Sequence, residues 1–319
     1  MVSQQIQQIN RVAVLGAGVM GQGIAQGFAQ AGLKVDVYDI SDEALQRCES
    51  GITRNLEQFQ THDLITENKL EILQRISYTA TENVAEHLVN CDVVVEVLPE
   101  LIELKQSLFE QLDSLPENII LATNTSSMTV SDVGAKMTTQ QRLIGLHYFN
   151  PAHIIPAVEV HKCAQTSQQT IDLTLELMKS IGKQPVLVRK EIPGFIINRL
   201  TGAMEREIDY LLEQGVVSPQ DLDIAVKASY GFRLACLGPM EAEDMIGLDT
   251  AARASANIFP TLSNAHLPSQ QLLDKVERGE LGLKSGEGWY QYDQGRGEKK
   301  VAVNNERLLR QLKLFIENN

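Results

Sequence analysis

Arg11-Val-Ala-Val-Leu-Gly-Ala-Gly-Val-Met-Gly21, followed eighteen residues later by the acid that ends Val35-Asp-Val-Tyr-Asp39, reads as one dinucleotide-binding βαβ unit. An apolar β-branched run leads into a glycine turn, an amphipathic helical segment over 20–31 and a second apolar run. Gly16 permits the tight turn, Gly18 lets the backbone approach a pyrophosphate, and Gly21 lets the helix pack on the strand. The helix N-terminus, with Val19 and Met20 in its first turn, presents its amides to the phosphates. Asp39 is placed to hold a ribose 2′-hydroxyl and would repel a 2′-phosphate. Ile40 and Ser41 supply no arginine to offset that charge. NAD is therefore the expected cofactor, not NADP.

The same alternation continues to about residue 190. Short β-rich runs are predicted over 12–15, 35–38, 93–97, 119–123, 143–147, 157–160 and 185–188. Helical stretches lie at 21–31, 42–60, 66–73, 104–112, 130–135 and 169–181. Such alternation predicts an α/β fold, a Rossmann-type doubly wound and mostly parallel sheet. The excursion over 41–76 exceeds an ordinary crossover and is expected to project as a helical arm. Glu191-Ile-Pro-Gly194 ends the pattern, and only helical signals follow, at 195–214, 219–229, 239–259, 269–278 and 306–317. Ser218-Pro219 is a helix start, with serine as N-cap and proline in the first turn. Gly288-Trp-Tyr-Gln-Tyr-Asp293 reads as a hairpin-like interruption before a polar turn. The expected division is residues 1–190 as an NAD-binding domain and 191–319 as an all-helical domain for substrate and dimerisation. A helical domain of ~130 residues is small for burying its own core, so a homodimer is expected.

Bulk properties narrow the function. Hydrophobic content of 43% and charged content of 22% over 319 residues are those of a globular protein of ordinary domain size. A net charge of −13 with no basic stripe argues against nucleic acid. Cys48, Cys91, Cys163 and Cys236 show no paired spacing and are expected as reduced thiols. Met1-Val-Ser-Gln-Gln has neither a basic nor an apolar signal region, and apolar runs stay below the ~18 residues of a membrane span. A soluble cytoplasmic enzyme of a small molecule is expected, with no membrane partner.

Several residues are candidates for chemistry, each with a plainer alternative. Val95-Glu-Val-Leu-Pro-Glu100-Leu-Ile-Glu-Leu-Lys105 ends a strand, so Glu100 and Lys105 either lie near the cofactor's reactive half or form an ordinary exposed helix start. Ser126, in Ala122-Thr-Asn-Thr-Ser126-Ser127, is either a turn residue or a substrate-binding hydroxyl. In Gly145-Leu-His147-Tyr-Phe-Asn150-Pro151, His147 ends a strand at the cleft. Glu159 is the one acid in the apolar run 154–160 and needs a partner. Paired with one nitrogen of His147 it would fix the tautomer and leave the other nitrogen as a base. The alternative is a structural histidine and a solvated glutamate. His62, His87, His153, His161 and His266 lack such context, none pairs at metal-ligand spacing, and no metal is expected. Asn198, in Pro193-Gly-Phe-Ile-Ile-Asn198-Arg199, faces either the cleft or the outer side of its helix. Lys284, in a glycine loop, is either a turn lysine or a contact to an anionic ligand.

Assembled, these motifs resemble the L-3-hydroxyacyl-CoA dehydrogenase family over essentially the whole chain. The resemblance rests on Gly-Ala-Gly-Val-Met-Gly21, Asn124-Thr-Ser-Ser127, Gly145-Leu-His-Tyr-Phe-Asn-Pro151, Pro193-Gly-Phe-Ile-Ile-Asn-Arg199 and Lys284-Ser-Gly-Glu-Gly-Trp-Tyr290. It implies His147 as catalytic base, Glu159 as its orienting partner, and Ser126 and Asn198 as hydrogen-bonding groups at the substrate. It implies NAD contacts at Asp39, Glu100, Lys105, Ser126, Asn150 and Lys284. A short L-3-hydroxyacyl-CoA is then the default substrate.

Three departures point elsewhere. Pro156 stands where acyl-CoA members carry a lysine. The arm over 52–76 offers only Arg54, Lys69 and Arg75 against Glu57, Asp63, Glu67 and Glu71. Tyr230-Gly-Phe-Arg233-Leu-Ala-Cys-Leu-Gly238 adds an arginine. In these features the chain is similar to the λ-crystallin and L-gulonate 3-dehydrogenase branch and to carnitine dehydrogenase, which oxidise free 3-hydroxy acids. Arg233 would then clamp a carboxylate bidentately, unless it pairs with an acid of the adjacent helix. A non-catalytic NAD-binding protein is the remaining alternative.

Overall fold

The computed structural model of the chain describes residues 9–292 and 296–318. The N-terminal segment 1–5 and Asp293, which figured in the sequence reading, lie outside the described residues. The chain divides into two compact units, one running to Ile196 and taking in Leu308–Glu317, the other spanning Ile197–Arg307.

The first unit is built on eight strands: β1 (Arg11–Leu15), β2 (Lys34–Asp39), β3 (Ile76–Ala80), β4 (Val93–Glu96), β5 (Ile120–Thr123), β6 (Leu143–Tyr148), β7 (Ala157–His161) and β8 (Gln184–Val188). Their order is β3-β2-β1-β4-β5-β6-β7-β8. All neighbours are parallel except β6 and β7. Helices α1 (Val19–Gln30), α2 (Asp42–Thr61), α3 (Lys69–Leu73), α4 (Ile102–Leu112), α5 (Val130–Val133) and α6 (Gln168–Ser180) connect them. Because side chains alternate along a strand, Val12 and Val14 of β1 enter one apolar cluster with α1, α2 and α6, while Ala13 and Leu15 enter another with α4 and α5. Helices cover both faces, as a doubly wound sheet requires.

The sequence reading has no strand at β3. This is an edge strand with only Ile76 buried, so it lacks the continuous apolar run that marks the inner strands. The helical arm is anchored: Leu45, Cys48, Ile52 and Leu56 of α2 join the sheet's own core, and Phe59 packs with Ile154 and Leu309.

The second unit holds α7 (Ile197–Glu213), α8 (Pro219–Ala228), α9 (Tyr230–Leu234), α10 (Pro239–Ile246), α11 (Leu248–Ile258), α12 (Gln270–Glu277) and most of α13 (Arg296–Asn318). Ser218 caps α8 by accepting from Asp221 N–H. The single helix expected over 239–259 is two. Gly247 interrupts it at φ 96°, a left-handed conformation that glycine adopts without strain. Among the described residues of this unit, no apolar side chain is buried; Ser269 alone is. No described helix is long and apolar enough to cross a membrane. All four cysteines are free, Cys236 exposed and the others buried.

Candidate active site

The cofactor turn is shaped by what its glycines leave out. Gly16 has φ 116°, and a Cβ there would stand 2.9 Å from the Val97 carbonyl oxygen. A Cβ on Gly21 would stand 1.9 Å from the Gly16 oxygen, so strand and helix meet there without a side chain between them. Gly18 is different: a Cβ on it would meet no atom within 4 Å. The space is therefore open toward a ligand, and Gly18 caps α1 with no side-chain hydrogen bond competing for the first amides. Val19 is exposed at the start of that helix, while Met20 packs against the core. Asp39, at the end of β2, accepts from Ala17 N–H (2.8 Å) and Ser41 N–H (3.0 Å), which fixes its carboxylate beside the turn. Glycine turn, free helix amides and oriented acid together fit NAD.

The end of β4 carries a group that the sequence reading missed. Glu96 and Lys105 form a salt bridge at 2.6 Å with both side chains 0% exposed. Glu96 also accepts from Thr123 Oγ1 (2.7 Å) and Leu98 N–H (2.6 Å). The Lys105 ammonium is enclosed by Glu96, the Leu98 carbonyl and Glu100 at 3.4 Å. It acts by holding Glu100. Glu100 Oε1 in turn accepts from Thr125 Oγ1 (2.5 Å), Ser126 N–H (2.8 Å), Ser127 N–H (3.0 Å) and Ser127 Oγ (3.0 Å). Burial works to raise the Glu100 carboxyl, but these hydrogen bonds and the Lys105 charge outweigh it and hold it below its ordinary value. The consequence is a fixed turn after β5 that leaves Ser126 exposed. Asn124 braces the same turn by accepting from Tyr148 N–H at 2.9 Å.

The antiparallel pair β6–β7 brings His147 to Glu159. Its register places His147 opposite Glu159 and Gly145 opposite His161. Residues two apart share a face, so Gly145, His147, Glu159 and His161 gather on one side. His147 Nδ1 lies 2.7 Å from Glu159 Oε2, with His147 4% and Glu159 1% exposed. A carboxylate only accepts, so Nδ1 carries the proton and Nε2 keeps a bare lone pair. Glu159 Oε1 accepts from Ile196 N–H at 3.0 Å. Phe195, at φ 54°, edges the His147 ring at 5.3 Å and covers the His161 ring at 3.7 Å between centroids. A bulky residue at positive φ is strained and persists only where its surroundings hold it.

His161, set aside in the sequence reading, is thus part of this cluster, with Nε2 4.0 Å from Glu159 Oε2. Burial pushes its imidazole down to about 4 against the opposing charge of Glu159. The usable signal was Glu-x-His on a strand facing Gly-x-His, since a Cβ on Gly145 would stand 2.9 Å from His161 Cβ.

The remaining candidates are placed as follows. Asn150 is exposed just after β6, before a cis peptide to Pro151. Asn198 lies exposed in the first turn of α7, in the second unit. Arg233 is exposed in α9 and makes no ion pair among the described residues, so the acid of an adjacent helix does not hold it. Lys284 is exposed in a loop of the second unit, where Gly282 bridges Glu287. On the arm, Lys69 is neutralised by Glu57 at 2.6 Å and Arg75 by Glu67.

Comparison with known proteins agrees with this geometry. Residues 11–192 match the profile of the 3-hydroxyacyl-CoA dehydrogenase NAD binding domain, and residues 194–292 that of the C-terminal domain. The chain is 34% identical over 292 residues to a 5-formyl-3-hydroxy-2-methylpyridine 4-carboxylate 5-dehydrogenase of Mesorhizobium japonicum, covering 89% of this chain and 91% of the relative. It is 35% identical over 293 residues to a probable 3-hydroxybutyryl-CoA dehydrogenase of Bacillus subtilis, covering 90% and 99%. A solved structure of a 5-formyl-3-hydroxy-2-methylpyridine 4-carboxylic acid 5-dehydrogenase, described as an NAD+ dependent dismutase, superposes with a TM-score of 0.89 at 31% identity, covering 96% and 98%. A glycine turn fitted to NAD and a buried imidazole–carboxylate pair, on a chain matched along both its units, place this protein in the 3-hydroxyacyl-CoA dehydrogenase family, as an NAD-dependent oxidoreductase acting on CH–OH.

Proposed function

We propose that the chain oxidises the 3-hydroxyl of an acyl substrate, with His147 as the base and Glu159 as the carboxylate that orients it. The 2.7 Å bond between these two buried groups carries the proposal. Bound NAD supplies the hydride acceptor for the substrate carbon. His147 Nε2 takes the hydroxyl proton, and the imidazolium so formed is stabilised by Glu159. Ser126 and Asn198 hydrogen-bond the substrate oxygens. Gly16, Gly18, Val19, Met20, Gly21 and Asp39 hold the dinucleotide, and Glu100, Lys105, Ser126, Asn150 and Lys284 complete its contacts. Residues 1–190 are the NAD-binding domain and 191–319 the substrate and dimerisation domain in this reading.

The acyl end separates two substrate classes. The names of relatives such as the Bacillus protein support a short L-3-hydroxyacyl-CoA. Three observations support a free carboxylic acid, which we take as the better reading. Two of the three cations on the arm are already neutralised by glutamates. Arg233 is exposed with no ion pair among the described residues. The Mesorhizobium relative is named for a pyridine carboxylate. The test is NADH formation from L-3-hydroxybutyryl-CoA beside free L-3-hydroxybutyrate, L-gulonate, carnitine and the pyridine carboxylate, with wild type and Arg233→Ala. Turnover of a free acid that collapses without Arg233 is expected. Strong thioester turnover indifferent to Arg233 would return the protein to the acyl-CoA class.

A homodimer belongs to the same proposal. A helical unit whose described residues bury no apolar side chain, with Leu200, Phe232, Met245, Leu248 and Phe259 exposed, lacks the core that would hold it folded by itself. A second copy of the chain is the occupant proposed for that surface. Sedimentation at twice 35.3 kDa is expected, and a monomer mass would refute it. A reducing cytoplasmic setting is proposed from the four free thiols.

A further inference from the structure

We propose that His147, Glu159 and His161 form a site for one divalent transition-metal ion of the zinc type, and that occupancy of this site switches the dehydrogenase off. Each residue offers a ligand atom, and these atoms lie within 4.8 Å of one another with all three side chains buried. His161 is the independent observation. It is 2% exposed, and neither ring nitrogen has a hydrogen-bond partner among the described residues. A buried polar group left unpaired is costly, so its persistence calls for a ligand. The 4.0 Å gap from His161 Nε2 to Glu159 Oε2 is too long for a hydrogen bond, yet two metal–ligand bonds of ~2.0–2.2 Å would span it.

The donor set selects the ion. Two imidazole nitrogens and one carboxylate oxygen suit zinc, cobalt or nickel. Calcium and magnesium prefer six or more oxygen ligands, whereas this cluster supplies one carboxylate and two imidazoles. Gly145, across the strand pair, makes room for the His161 ring itself, since a Cβ there would stand 2.9 Å from His161 Cβ.

Inhibition follows from the tautomer, and this part rests on the proposed role of His147. In the resting pair the ring proton sits on Nδ1 and Nε2 is the base. A metal ion on Nδ1 needs the lone pair of that nitrogen, so the ring loses its proton at Nδ1 and takes one up at Nε2, with no net release of protons. The neutral ring then carries its one proton on Nε2, where the substrate's proton would have gone. No electron transfer is involved.

The experiment is zinc binding to the cofactor-free protein, by competition with a chromogenic chelator, for wild type and His161→Leu. NAD binding and turnover with and without zinc are measured in parallel. Wild type is expected to hold one more zinc per chain than the variant, or to bind that zinc at least ~10-fold more tightly. NAD binding by the variant shows that it is folded, and whatever turnover it retains should no longer fall when zinc is added. His161→Gln, which keeps a polar side chain without an imidazole, replaces the leucine variant if that fails to fold. Equal zinc binding by wild type and variant, or none by wild type, would overturn the proposal. A zinc difference in a protein that oxidises no 3-hydroxy substrate would uphold the metal site and sink the proposed function instead.

Discussion

Replacing Glu159 by glutamine isolates the charge of the orienting group while keeping its volume. The carboxylate accepts from two donors on different oxygens, His147 Nδ1–H at 2.7 Å and Ile196 N–H at 3.0 Å. A carboxamide has one accepting oxygen. If it stays on Ile196, the amide NH2 faces His147 and can only be met by a bare Nδ1. The ring proton then moves to Nε2, and the base is lost. The lost charge-assisted bond alone is worth about 1.5–3 kcal/mol, or roughly 10- to 150-fold in rate at about 1.4 kcal/mol per decade. Misplacing the base brings in the ~10²–10⁴ typical of general-base catalysis. Steady-state kinetics of Glu159→Gln should therefore show kcat lower by about 10²–10⁴, with NAD affinity close to wild type. A variant within about threefold of wild-type kcat, or one whose loss lies wholly in KM, would refute the base assignment.

Other outcomes follow from the same coordinates. Gly18→Ala should leave stability unchanged but weaken NAD by tenfold or more (~1.4 kcal/mol), whereas Gly21→Ala should cost about 1–3 kcal/mol of stability, both read by calorimetry. Lys105→Met leaves Glu96 buried without its partner and should cost about 3–5 kcal/mol in urea unfolding; the double change with Glu96→Gln should recover most of it. Burial holds His153 and His161 at about 4, below the ordinary 6.5, so between these values only the unfolded chain binds their protons. Stability should fall as pH drops from 6.5 to 4, and His161→Leu should flatten part of that slope in urea midpoints taken at pH 7 and pH 5.

The parts of the molecule that were legible in its sequence are those whose signal is local. The glycine turn and Asp39 fall within one βαβ unit, and their spacing alone defines the cofactor end. His147 and Glu159 could be singled out as a strand-end histidine and a stranded acid, but their pairing depends on β7 running antiparallel to β6, which spacing does not reveal. His161 was passed over because its meaning comes from the opposite strand, where Gly145 makes room for it. The pairing of Lys105 with Glu96 was not legible, because Glu96 is buried at the end of the preceding strand and an i,i+9 ion pair has no helical signature. The break in the long helix at Gly247 was hidden because glycine inside an amphipathic pattern is usually tolerated.

The return of the last helix to the first unit has a consequence for how the protein can be dissected. Leu309 sits 1% exposed between Phe59 and Ile154, so residues 308–317 belong to the same body as the sheet, and residues 197–307 are tethered to that body at both ends. One protease cut within that stretch yields two fragments that still share a hydrophobic anchor and migrate together under native conditions. Release takes two cuts. A shortened gene that stops at residue 307 would strip the cover from Phe59 and Ile154, and the fragment to express for cofactor work is residues 9–196 with the 308–317 segment supplied as a peptide or joined by a short linker.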